Sequence, residues 1–119
     1  VEQLSLPEAV DACGRAGITM IGPWRHKVAE VGVEAAASAI RDAGLRVSSL
    51  CRGGFFPAAD AAERRAADDD NRRAVEEAAA LGTDVLVLVC GPPIGRDVAG
   101  ARAQILAGIE RLVPHADAC

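Results

Sequence analysis

Asp84-Val85-Leu86-Val87-Leu88-Val89-Cys90 is the stretch on which the fold turns. Every position from 85 to 89 is apolar. A strand with one wet face alternates polar and apolar residues. The loss of period 2 therefore predicts a strand covered on both faces, as a parallel strand between helices is. Gly82 precedes the run and Gly91-Pro92-Pro93 follows it, which supplies a start and a stop.

Working outward, a long helical stretch reaches Leu81 and stops at Gly82. The same order of helix, glycine and short apolar strand occurs twice before it. An alanine-rich helix over about 33–43 stops at Gly44 and leads into a strand over 46–51. Upstream, a first helix stops at Gly17 and leads into Ile18-Thr19-Met20-Ile21, which Gly22-Pro23 ends. Ser5 caps that first helix, Glu8 completes a capping box and Pro7 suits the first turn. The glycines at 17, 44 and 82 recur at the spacing of consecutive βα units, in which each crossover helix returns the chain parallel.

A fourth helix from about Asp97 puts Val98, Ala101, Ile105, Ile109 and Leu112 on one face. The periodicity calls for a strand before the first helix and for a glycine and strand after the fourth. The expectation is therefore a segment of a longer repeating α/β architecture. An open doubly wound sheet and a barrel both alternate in this way. No G-x-G-x-x-G follows any strand. The nearest candidate, Gly91-Pro92-Pro93-Ile94-Gly95, has two prolines in place of the amides that would cradle phosphate. That weighs against a dinucleotide-binding sheet.

Composition narrows the function. The chain has 119 residues, half of them hydrophobic, with two Phe, one Trp and no Tyr. Alanine and branched aliphatics must therefore supply the core. Net charge is −4, and the basic residues form no stripe with interleaved aromatics, which argues against nucleic acid. No apolar run approaches the roughly 18 residues that would span a bilayer, and residues 1–7 lack the pattern of a signal peptide. Cys13, Cys51, Cys90 and Cys119 are scattered with no C-x-x-C pair, so a zinc site is not expected and a reduced, cytoplasmic setting is.

In either architecture ligands gather at the carboxyl ends of the strands. Those ends read Gly22-Pro23-Trp24-Arg25-His26, Cys51-Arg52-Gly53-Gly54-Phe55-Phe56-Pro57 and Cys90-Gly91-Pro92-Pro93. The first two carry an arginine with an aromatic close by. Arginine offers a planar fork of donors to hydroxyls, carboxylates or phosphates, and an aromatic beside it can cover the apolar face of a sugar ring.

The segments GITMIGPWRHKV, GLRVSSLCRGGFFP and DNRRAVEEAAALGTDVLVLVCG resemble successive βα units of the xylose-isomerase-like TIM-barrel family, which includes sugar phosphate isomerases/epimerases and relatives of the endonuclease IV type. The W-R and C-R-G-G-F-F-P segments are the specific part of the likeness. It implies an incomplete (β/α)8 TIM barrel of parallel strands, about strands two to four with helices one to four. Residues 1–119 would then form one partial barrel without strand one and strands five to eight. It also implies a metal-dependent isomerase or epimerase of carbohydrate metabolism, moving a proton at a carbon next to a carbonyl. A divalent metal (Mn, Mg, Zn or Co) is expected in the full-length protein. Its ligands in typical members, Glu, Asp, His and Glu, lie on strands five to eight, so no catalytic residue and no metal ligand is carried over. Trp24, Arg25, Arg52, Gly53 and Phe55 are carried over as walls of the substrate pocket. The implied partner is a small sugar or sugar phosphate, without nucleic acid or membrane, and homo-oligomers remain open.

Other eye-catching residues have plainer readings. Asp68-Asp69-Asp70 on a helix point in different directions and cannot converge on one ion, so they are read as a solvated face with Arg64, Arg65, Arg72 and Arg73 nearby. Glu76-Glu77 is read likewise. His26 is read as a solvated loop histidine, His115 as structural or exposed, and Cys51 and Cys90 as core thiols. Lys27 and Glu30 suggest an exposed loop around Arg25. Of the adjacent Phe55 and Phe56, one should pack inward and one face the pocket, and the sequence does not choose between them. On its own, such a segment is expected to be inactive, with unpaired strand edges and an uncovered barrel lining. The alternative is a small, non-catalytic α/β binding or interaction domain. A DNA-repair endonuclease relative on the same fold is weaker still, given the acidic balance.

Overall fold

The computed structural model describes residues 3–119. In chain order they form α1 (Leu6–Arg15), β1 (Met20–Ile21), α2 (Arg25–Val31), α3 (Val33–Asp42), β2 (Arg46–Val47), β3 (Leu50–Gly54), α4 (Ala61–Leu81), β4 (Leu86–Val89) and α5 (Val98–Ala118). Two compact units result. One comprises the chain up to Cys51 with Glu77–Leu86, the other Arg52–Glu76 with Val87–Cys119.

In the first unit the helix ends follow the predicted chemistry. The Ser5 hydroxyl accepts from the Glu8 amide while Glu8 Oε2 accepts from the Ser5 amide at 3.0 Å. Gly17, Gly44 and Gly82 all turn with positive φ, and the residue after each donates five residues back: Ile18 to Cys13, Leu45 to Ile40, Thr83 to Ala78. This is the Schellman ending, in which a left-handed residue lets the chain leave the helix with its last carbonyls paired. The chain is thereby aimed straight into the next strand.

β1 pairs in parallel with β2, Met20 opposite Arg46 and Ile21 opposite Val47. A further parallel bridge joins Trp24 to Cys51. One more residue lies between Val47 and Cys51 than between Ile21 and Trp24, so the 46–54 run carries a bulge at Ser48-Ser49. The strand expected over 46–51 is thus split in two. Gly22 faces the bulge, where a Cβ would lie 3.3 Å from the Ser49 hydroxyl. Leu6, Val10, Val28, Ala36, Ile40, Val47, Leu50 and Leu81 form the core that clamps these helices onto the strands.

β3 and β4 make a second two-stranded sheet. Its bonds, Leu50 to Val85 and Phe55 to Val89, advance together along both strands, so this pair is also parallel. Around the second unit's core lie Phe56, Ala58, Ala74, Val75, Ala101 and Leu112, all buried. Gly108 of α5 is where the Phe56 ring lies, so a Cβ there would overlap it. Asp97 caps α5 by accepting from the Gly100 amide at 2.8 Å.

Several expectations need correction. Residues 25–31 are a helix, not an exposed loop: Val28 is buried, and Lys27 and Glu30 form an ion pair at 3.6 Å along its flank. A seven-residue helix whose N-cap, Trp24, makes no side-chain cap leaves little periodic signal. β4 is not covered on both faces, for Val85, Val87 and Val89 are 50 %, 39 % and 37 % exposed. A fully apolar strand is built to have both faces covered, and among the described residues only one face is. The structural reading of His115 holds: it lies in the last turn of α5, which runs through Pro114 to Ala118, with its Nε2 3.2 Å from Glu76. Among the described residues the strands do not close into a barrel, and no helix is long and apolar enough to cross a membrane.

Candidate functional site

The carboxyl end of β1 belongs to the first unit. Trp24 leaves the strand in an extended conformation, and its carbonyl accepts from Lys27 and Val28 to start α2. The indole is 44 % exposed and meets the His26 ring edge-on, centroids 5.4 Å apart. Both line a cleft of about 320 Å³ with Leu6, Ala9, Ile21 and Lys27. Its walls are largely apolar, as small-molecule pockets generally are.

Arg25 comes next, and its guanidinium is engaged on Glu77: Nε lies 2.7 Å from Oε2 and Nη2 3.2 Å from Oε1. The side chains are only 18 % and 25 % exposed. Such a fork-on-carboxylate pair is among the stronger ionic contacts because both hydrogen bonds are charge-assisted and parallel. Glu77, read from sequence as part of a solvated face, is therefore a half-buried partner of Arg25.

The carboxyl end of β3 lies in the second unit and is built differently. Gly53 and Gly54 are buried while Arg52 is exposed. Gly54 has φ of 110°, and a Cβ there would overlap the Val89 carbonyl. Phe55 follows with φ of 53°, a left-handed conformation uncommon for a bulky residue. Its amide donates to Val89 O at 2.8 Å, and the Phe56 amide donates to Cys90 O at 3.2 Å. This kink sends the two rings to opposite fates, with Phe56 buried in the core and Phe55 43 % exposed. Arg52 lies over the exposed ring, Cζ 4.8 Å from its centroid. Gly91 is packed against the same turn, where a Cβ would fall 3.1 Å from Phe55 Cα.

Asn71 of α4, absent from the sequence-based candidates, holds this turn from behind. It is 1 % exposed, accepts from the Gly54 amide at 2.6 Å and donates to the Gly54 carbonyl at 2.9 Å. The signal that could have found it is helical spacing: Asn71 shares a face with Ala74, Val75 and Ala78, all buried. Of its acidic neighbours, Asp68 is paired bidentately with Arg111 at 2.8 and 3.1 Å, and Asp70 with Arg73 at 3.5 Å. Donating to the Asp68 carboxylate pushes the Arg111 pKa further up. Among the described residues no group of three or more His, Cys, Asp or Glu side chains is placed to hold a metal ion.

A family model described as xylose isomerase-like TIM barrel matches residues 7–119. Among solved structures, protein SMc04130 from Sinorhizobium meliloti 1021 is 52 % identical with a TM-score of 0.92, over 98 % of this chain and 43 % of that one. A D-psicose 3-epimerase crystallised in the presence of D-fructose shares the fold at 16 % identity and a TM-score of 0.74, over 96 % of this chain and 44 % of its own. A D-allulose 3-epimerase from Methylomonas sp. does so at 24 % identity and 0.70, over 94 % and 42 %. The chain thus spans less than half the length of these solved relatives. No curated protein matches it.

Proposed function

The chain belongs to the xylose isomerase-like TIM barrel family, and from that premise we propose that it forms part of a sugar isomerase or epimerase. The observation that carries the reading is Arg52 lying over the exposed Phe55 ring at the carboxyl end of β3, the end at which barrel enzymes bind their substrates. A guanidinium is a planar fork of N–H donors suited to hydroxyl oxygens, and the ring beside it suits the C–H face of a sugar. Trp24, Arg52, Gly53 and Phe55 are each assigned to substrate contact. Arg25, with its fork on Glu77, braces the strand end from which Trp24 projects.

The reaction is proton transfer at a carbon next to a carbonyl or hydroxyl. A divalent cation would supply polarisation of the substrate oxygens. Among the described residues no cluster of His, Cys, Asp or Glu side chains is placed to hold it, and no step is routed through it. Four free cysteines fit a reduced, cytoplasmic setting. The protein expressed from its own gene tests the reading. Incubated with D-fructose and Mn²⁺, it should form an epimer resolvable by chromatography, stop on chelation and resume when Mn²⁺ is returned. Inertness toward D-fructose, D-psicose and the ketose phosphates would overturn the assignment.

A further inference from the structure

At the carboxyl end of β3 the chain leaves the sheet through two successive residues of positive φ, Gly54 and Phe55. The turn aims the Gly54 amide and carbonyl at the Asn71 side chain while burying the residue. Buried backbone groups without partners are costly. One side chain meets both needs, because a carboxamide carries an acceptor and a donor together. Asn71 Oδ1 accepts from the Gly54 amide at 2.6 Å, and its Nδ2 donates to the Gly54 carbonyl at 2.9 Å. The other Nδ2 hydrogen goes to Ala67 O at 2.9 Å, one turn back in its own helix, which fixes the rotamer. A bulky residue in the left-handed region persists only where its surroundings over-determine it, and here the next residue is Phe55, on which Arg52 is stacked.

We propose that Asn71 is a positioning residue: it holds the Gly54–Phe55 turn, and through it sets how Arg52 and Phe55 are presented to a sugar. The part concerning sugar rests on the epimerase reading above. The part concerning the turn does not.

Asn71→Asp is the informative substitution. It preserves shape and the bond from the Gly54 amide, but turns a carboxylate oxygen toward two carbonyls. Protonating the introduced carboxyl restores one donor, so its defect is reversible with acid. Asn71→Ser removes the clamp without adding charge and covers the case in which the first variant fails to fold. In the protein expressed from its gene, KM for D-fructose should rise about tenfold in both variants at neutral pH, with kcat within about twofold. Only Asn71→Asp should recover as pH falls, relative to wild type at each pH. Amide exchange should quicken at Gly54 and Phe55 while Leu50 stays protected.

Unchanged KM in both variants, or equal loss of kcat and protection throughout, would overturn the proposal. If the wild type converts no ketohexose, the epimerase reading falls alone. Selective exchange at Gly54 and Phe55 then upholds the clamp, and unchanged exchange there overturns it.

Discussion

The carboxyl ends of β1 and β3 start from similar sequence, an arginine and an aromatic within a few residues of a short strand, and end as different devices. At β1 the chain enters a helix directly, and Arg25 is pinned by a carboxylate 52 residues away. At β3 it passes through a strained turn held by an amide 17 residues away, and Arg52 rests on Phe55. One end is held by charge, the other by backbone geometry. The lesson is that an arginine at a strand end has no role of its own until its partner is known.

Four substitutions sharpen or break this contrast. The largest effect is expected from Gly54→Ala. Its Cβ would overlap the Val89 carbonyl at a φ of 110°, and strain plus overpacking should cost about 3 kcal/mol or more, read as a lower urea midpoint. A change below about 1 kcal/mol would mean the turn is not the rigid element described. Next comes Glu77→Ala, which strands the Arg25 fork at 18 % exposure and should cost about 1–2 kcal/mol. The exposed Arg111→Ala change, against a pair 47 % and 25 % exposed, should cost about 1 kcal/mol or less, and added salt should shrink it further. Equal costs would erase the distinction between the held and the solvated arginine.

The smallest stability effect is expected at Phe55→Gly. Removing a side chain from a φ of 53° relieves roughly 1 kcal/mol of left-handed strain, partly offset by glycine's greater freedom when unfolded. The melting temperature should hold or rise slightly while sugar affinity falls. A clear loss of stability would show that the exposed ring supports the fold rather than the site.

Much of the architecture could be read from the chain. The Ser5–Glu8 box and the three helix-stop glycines behave as local chemistry requires, and Asp97 starts the last helix as expected. The site was legible only in outline. Arg52 and Phe55 became candidates because they follow a strand. Asn71 was hidden in the charged run Asp68-Asp69-Asp70-Asn71, and Glu77 looked like its solvated neighbour. Helix α2 escaped because a short helix without a side-chain cap has almost no pattern to see.

By itself the sequence determined the order of helix, turn and strand, since caps, glycines and apolar runs act over a few residues. It also pointed to the turns after the strands as the place to look for functional side chains. Tertiary structure alone decided which phenylalanine is buried, which face of β4 is covered and which carboxylate Arg25 meets. Those outcomes depend on Gly108, Glu77 and Asn71, residues brought into contact across long stretches of chain, where periodicity carries no information about who will meet whom.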